Sequence, residues 1–157
     1  MDALGRLESI EEIKRLKAKY FRSLDSKDWD GFETCFTDDV FFDFRDSEPE
    51  KIADLAGGTA LVEGAVAATK WAEEAIHGAT SCHQGHMPEI EITSDVTAEG
   101  IWAMSDRLWW PAEESENLPY KELDGVGHYY ESYRRVDGRW LIAKLRLTRL
   151  YIRREAW

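Results

Sequence analysis

Cysteine is scarce in this chain, and its two copies, Cys35 and Cys82, lie far apart with no Cys-x-x-Cys spacing. That excludes a disulfide framework and a cysteine zinc site, and both side chains read as buried thiols. Long apolar runs are also missing. No segment approaches the length of a membrane span, and the N-terminus carries no signal-peptide pattern. The expectation is a cytoplasmic protein with no membrane partner. Basic residues are in deficit: 20 Lys and Arg stand against 31 Asp and Glu, for a net charge of −11. Such a chain repels phosphate backbones, so nucleic acid is excluded as a partner. There is no internal repeat, low-complexity tract or linker, so the 157 residues read as one domain, 1–157, around one core.

Aromatic residues, by contrast, are plentiful. Seven Trp, six Tyr and six Phe suit a dense core or a pocket for a flat apolar ligand. Leu7, Ile10, Ile13, Leu16, Tyr20 and Leu24 recur at steps of three and four. That predicts an amphipathic helix over about 8–26, with Ser9 and Glu12 as its capping box. Tyr20 lies on the apolar stripe, and its hydroxyl needs a partner there. A short helix follows at Trp29–Phe36, then a turn at Thr37-Asp38-Asp39 and a strand at Val40–Phe44. Residues 45–58 read as a surface loop, 59–62 as a very short strand, and Glu63–His77 as a third helix stopped by Gly78. Four strands are expected last, near 80–93, 97–110, 125–137 and 139–153, with Asp137-Gly138 as a hairpin turn. Residues 111–123 form a polar loop. Helices first and antiparallel strands last predict an α+β fold whose curled sheet encloses a cavity under the helices.

Polar residues on apolar strand faces locate the chemistry. One face of 97–110 reads Ala98, Gly100, Trp102, Met104, Asp106, Leu108, Trp110. One face of 139–153 reads Leu141, Ala143, Leu145, Leu147, Arg149, Tyr151. A buried unpaired charge costs several kcal/mol. Asp106 and Arg149 therefore face one wet cavity, or form an ion pair that ties the strands together. The segment Ser81-Cys82-His83-Gln84-Gly85-His86-Met87-Pro88 carries two of the four histidines. His86 shares the parity of Ile90 and Ile92 and His83 does not, yet Gly85 and Pro88 can mark a bulge that reverses parity. The pattern leaves open which histidine points inward. His77 reads as a surface residue, and His128, at a strand start, as a possible pocket residue.

The stretch Ile13–Asp25, with Trp29 and the Asp38-Asp39 turn, resembles the opening of SnoaL-like proteins of the nuclear-transport-factor-2-like superfamily. The His83-x-x-His86-x-Pro88-Glu89-Ile90 segment, Asp106 in its strand, and Tyr133–Trp140 resemble the same group. The pattern is most similar to the branch holding bile acid 7α-dehydratase and scytalone dehydratase. The resemblance implies the cone-shaped, cystatin-like α+β fold, with N-terminal helices on a strongly curved, mostly antiparallel sheet. It implies catalytic roles for Tyr20, Asp25, His83, Asp106 and Arg149, with Arg146 as the neighbouring alternative to Arg149. Trp29, Trp102, Met104 and His128 are the expected substrate contacts. It also implies a homodimer or homotrimer, for which Tyr130 and Trp140 are candidate contacts on the outer sheet face.

These side chains suit removal of a proton from carbon and of water from its neighbour. His83 would be the base, Asp25 would hold its tautomer, and Tyr20 would bond the substrate oxygen. The substrate class is a small apolar or aromatic-ring molecule, such as a hydroxylated cyclic ketone of polyketide or steroid type. No metal or organic cofactor is called for. The reading is a dehydratase-like lyase; the alternatives for the same pocket are an isomerase, a polyketide cyclase or a binding module without chemistry.

Overall fold

A computed structural model describes residues 1–47, 61–112 and 120–157. The expected loop 45–58 and the strand start at 59–60 lie largely outside these residues, as does most of the loop 111–123. The first helix, α1, runs Ala3–Ser26. It starts earlier than its apolar stripe predicts, because Asp2 caps it: the Asp2 carboxylate accepts the Gly5 N–H at 2.8 Å. Ser9 therefore lies inside the helix and donates to the Gly5 carbonyl, and the expected Ser9–Glu12 box is not the cap. Leu7 is exposed, while Lys17 is fully buried on the packed face.

Helix α2 spans Trp29–Glu33, capped by Asp28. Strand β1 covers Phe36–Asp43, so Thr37-Asp38-Asp39 is strand and not turn. A register irregularity between Phe36 and Phe41 explains why the turn-forming residues mislead: they sit at a bulge. Strand β2 is Leu61–Glu63 and helix α3 is Ala65–Ala75. Small residues, Ala65, Ala68 and Ala72, let α3 lie close to the sheet, whereas Val66 is exposed. Four long strands follow: β3 Thr80–Ile92, β4 Thr97–Trp109, β5 Tyr120–Val136 and β6 Arg139–Ala156. The β5–β6 turn is Asp137-Gly138, both at positive φ (49° and 78°), the geometry that a tight two-residue hairpin demands.

The six strands form one curved, open sheet in the order β2-β1-β6-β5-β4-β3. All neighbours are antiparallel except β1 and β6, which run parallel. This is the expected α+β cone. Its concave face is covered by α1, α2 and α3 and packed with Ile13, Tyr20, Phe21, Phe32, Phe36, Phe42, Trp102, Tyr129 and Tyr133, among others.

Bulges in β3 and β6 decide which side chains face inward. In β3, Gly85 pairs with Met104 but Pro88 pairs with Trp102. Three steps on one strand meet two on the other, so parity reverses between them. In β6, Ile142 pairs with Tyr133 and Lys144 with Ser132. Trp140 and Ile142 therefore point inward together with Leu145 and Leu147, and the predicted inward positions of Leu141 and Ala143 are corrected. Trp140 is buried and is no contact residue of the outer face, whereas Tyr130 is 41% exposed there.

Candidate active site

His83 and Asp106 stand directly opposite one another on β3 and β4. The β3 bulge settles the choice between the histidines. His83 turns inward, with a side chain only 7% exposed, while His86 turns out to the exposed Ser105 hydroxyl at 3.1 Å. β3 is an edge strand, so alternate N–H groups lack a ladder partner and point past the sheet toward α1. Asp25, near the end of α1, uses this. One carboxylate oxygen accepts the His83 backbone N–H at 2.7 Å, and the other meets the His83 ring Nδ1 at 2.6 Å. An ionised carboxylate only accepts, so Nδ1 carries the hydrogen, and in the neutral ring it is Nε2 that holds the lone pair. Burial opposes ionisation of Asp25, but the hydrogen bonds from His83 and Ser81 outweigh it and hold the carboxyl below its ordinary range.

Beyond Nε2, at 3.9 Å, lies the Asp106 carboxylate. Arg149, on β6, clamps that carboxylate with two bonds of 2.6 and 2.7 Å. The clamp spans the intervening strand β5, and glycine there makes this possible. A Cβ on Gly125 would stand 2.3 Å from the Arg149 Nη1 and 2.4 Å from the Asp106 Oδ1. The two sequence readings of Asp106 and Arg149 are both met: they form an ion pair, and both line the cavity. Arg146 has the other parity and pairs with Asp46 at the surface.

His83, Asp106 and Arg149 line an open-mouthed cavity of about 130 Å³. Its polar lining comes from Tyr20, Ser47, His83, Asp106, Tyr129 and Arg149; the rest is aromatic and aliphatic, including Phe44, Trp71, Trp110 and Leu147. Phe44 and Trp71 stack at 4.2 Å. The Tyr20 hydroxyl finds its partner in the Tyr129 hydroxyl; either can donate, and the other keeps its proton for a further acceptor. Burial pushes the Tyr20 phenol well above its usual value, and the neighbouring Tyr129 and Glu131 add to the effect. Burial does the same for Tyr129, reinforced by the Asp106 charge.

Of the predicted catalytic residues, Tyr20, His83, Asp106 and Arg149 line one cavity, and Asp25 stands behind His83. The predicted substrate contacts are placed elsewhere. Trp102 and Met104 do face inward and are buried, but neither lines the cavity. The Trp102 Nε1–H donates to Tyr133 at 2.8 Å, and Met104 lies beneath the Arg149 guanidinium. Trp29 packs edge-on against Phe32. His128 has opposite parity to Tyr129 and sits on the outer face beside Tyr130. None of these four lines the cavity among the described residues. The sequence reading missed Tyr129, two residues before Glu131 on an inward row whose parity its β5 alternation already displays. It also missed Lys17, fully buried and paired with Glu131. Lys17 stands one turn before Tyr20 and Phe21, on the stripe but with a residue type read as surface. Among the described residues no group of His, Cys, Asp and Glu is arranged to hold a metal ion. No helix among them is long and apolar enough to cross a membrane.

Known proteins share this framework. A probable cyclase of Gibberella zeae, FGR4, is 26% identical over 92% of this chain and 93% of its own length. The crystal structure of a type 2 hexachlorocyclohexane dehydrochlorinase, LinA, superposes with a TM-score of 0.78 at 20% identity, covering 99% of this chain and 94% of that one. A scytalone dehydratase candidate from Novosphingobium aromaticivorans superposes at 0.77 with 16% identity, over 97% and 91%. These structural likenesses concern the fold. The family model for the SnoaL-like domain matches residues 5–146, nearly the whole length, and the chain belongs to that family.

Proposed function

We propose that the protein is a cofactor-independent lyase that eliminates water from a hydroxylated cyclic ketone or enone by acid-base chemistry. One observation carries this reading: an imidazole fixed by a carboxylate at Nδ1 lines a small, mostly apolar cavity that its Nε2 can serve as a base. In the proposed step, Nε2 takes the proton from the carbon next to the carbonyl. The C–H electron pair becomes the new C=C bond, and the C–O bond to the leaving hydroxyl breaks. Tyr129, hydrogen-bonded to Tyr20, bonds the substrate oxygen as charge develops on it. The imidazolium returns its proton as the hydroxyl departs, so water leaves and the base is restored. Asp25 and Asp106 stabilise the imidazolium from either side. The cavity is comparable in size to one that holds a benzene ring, which suits the single ring carrying the reacting carbons.

A polyketide cyclase is the second reading, favoured by the similarity to FGR4 along most of the chain. There the same base removes a carbon-bound proton, and the carbanion attacks a carbonyl within the substrate. The test is a panel of hydroxylated cyclic ketones followed by new conjugated-enone absorbance, with His83→Ala and Asp25→Asn in parallel. Turnover by the parent protein that both variants lose supports the lyase. Saturable binding without turnover, little changed in His83→Ala, sinks it in favour of a binding module.

A further inference from the structure

Helix α1 ends in a Schellman motif, a position at which glycine is favoured, yet the chain places a lysine there. Lys27 adopts the left-handed conformation at φ 60° and ψ 29°. Its N–H bonds the Leu24 carbonyl at 3.3 Å and the Asp28 N–H bonds the Ser23 carbonyl at 2.9 Å. A side chain in this conformation crowds its own backbone, and glycine would relieve that. The Lys27 side chain is half-buried and turns back to donate to the Ser81 hydroxyl at 2.8 Å. Ser81, itself buried, donates onward to Asp25 at 2.9 Å. A continuous chain thus runs from the ammonium through hydroxyl and carboxylate to the His83 ring. Burial depresses the affinity of Lys27 for its proton while the Asp25 charge supports it, so the cation and the carboxylate sense each other.

The imidazole has two carboxylates against it, and each has its own cation. Asp106 is clamped by Arg149; Asp25 is reached by Lys27 through Ser81. The remaining groups facing His83 are the Tyr20 and Tyr129 phenols, with the neutralised Lys17–Glu131 pair behind them. Two carboxylates alone would favour the imidazolium and remove the base. We propose that Lys27 is a positioning residue for the His83–Asp25 pair: its ammonium, delivered through Ser81, offsets the Asp25 charge so that His83 keeps the neutral form a base requires. This rests on the reading of His83 as the base, but the arrangement can be tested without any substrate.

The experiment follows the histidine ring C–H resonances by NMR as pH is varied in the free protein, with His83→Gln identifying the His83 signal. In Lys27→Gly the His83 signal titrates at higher pH than in the parent, by about 0.5–1 pH unit for loss of one nearby, partly screened charge. Ser81→Ala displaces it in the same direction, and Lys27→Arg leaves it in place. The melting temperature of Lys27→Gly rises by roughly 2–4 °C, because the left-handed position is relieved. A merely structural lysine predicts a fall in melting temperature and an unmoved signal. A titration curve in Lys27→Gly that coincides with the parent's overturns the proposal. So does an equal displacement in Lys70→Ala, a control on the exposed lysine of α3 that pairs with Glu74. A displaced signal in a protein that dehydrates none of the ketones keeps the relay and sinks only the lyase reading.

Discussion

Lys17 and Glu131 bury an ion pair completely, with both side chains at 0% exposure. Ionised groups of this kind lose several kcal/mol of hydration each and recover it only through their partners. The partners here are numerous. The Lys17 ammonium bonds Glu131 and sits 3.9 Å from the Tyr20 ring centre and 3.8 Å from that of Tyr129. Glu131 also accepts the Tyr133 hydroxyl, which in turn accepts the Trp102 N–H. At a contact of about 3 Å and an effective dielectric near 20 the pair attracts by roughly 5–6 kcal/mol, and desolvated cation–π contacts add about 1–2 kcal/mol each. Lys17→Met leaves Glu131 charged and unpaired, and Glu131→Leu does the same to Lys17. Each single change is expected to cost about 3–5 kcal/mol, or roughly 6–20 °C in melting temperature for a chain of this size. The double change Lys17→Met with Glu131→Leu removes both charges and leaves only a packing and Tyr133-hydroxyl penalty. Its cost should fall at least ~2 kcal/mol short of the sum of the singles. Urea unfolding followed by far-ultraviolet circular dichroism measures all four proteins. A double variant as unstable as the sum of its parts refutes the argument, since it means that neither charge depends on the other.

Further outcomes follow from the same contacts. Gly125→Ala should force the Asp106–Arg149 clamp apart, with a loss of at least ~10-fold in turnover or ligand affinity; an unchanged affinity in calorimetry removes the steric argument. Asp25→Asn should lower turnover by ~10²-fold or more with little change in KM, because it removes tautomer control and not substrate contact. Trp71→Ala should weaken binding of a ring-containing ligand by about 10-fold, read by titration of tryptophan fluorescence or by calorimetry, as it deletes one partner of the Phe44 stack. Asp25 also links stability to pH. Its carboxyl is held below the ordinary value of about 3.9, so its contribution is complete above that value and fades as pH falls toward the lower folded one. The acid limb of a stability profile below about pH 4 should therefore be shallower in Asp25→Asn.

Much of this architecture was legible in the sequence because its strands are long and alternate cleanly. The row Trp102, Met104, Asp106, Leu108 is inward as expected, and a lone aspartate in it correctly marked a cavity wall. Legibility ended where parity changes. The β3 bulge could be suspected from Gly85 and Pro88, but whether it reversed the face of His83 depended on its pairing with β4. In β6 no glycine or proline announces the bulge after Ile142, so Leu141, Ala143 and Trp140 were assigned to the wrong faces. Depth is a separate problem. Alternation says that Trp102 points inward, but Phe21 and Gly85 decide that its neighbourhood is solid, with a Gly85 Cβ position 2.6 Å from the Phe21 ring. Lys17 illustrates the limit: a lysine on an apolar stripe is ordinarily read as a residue whose head reaches water, and only the long-range Glu131 contact reverses that.

The arrangement of charge also bears on which reaction the cavity favours. His83 and Asp106 lie side by side on β3 and β4, and Tyr20 on α1 and Tyr129 on β5 line the same cavity. A base and phenolic donors lining one ring-sized space suit chemistry in which a proton leaves one atom while charge builds on an oxygen of the same ligand. That describes enolisation, the step shared by elimination and cyclisation. The two diverge only afterwards, and the divergence needs different room. Elimination needs a proton delivered to a leaving hydroxyl within reach of the imidazolium, a role the proposed lyase mechanism gives to His83. Cyclisation needs a second carbonyl folded back onto the carbanion, hence space for a chain as well as a ring. A cavity of about 130 Å³ seats one ring closely. A ligand series of fixed headgroup and growing chain therefore separates the readings: affinity that peaks at the single ring supports elimination, and affinity that continues to rise with a flexible second arm transfers the assignment to the cyclase.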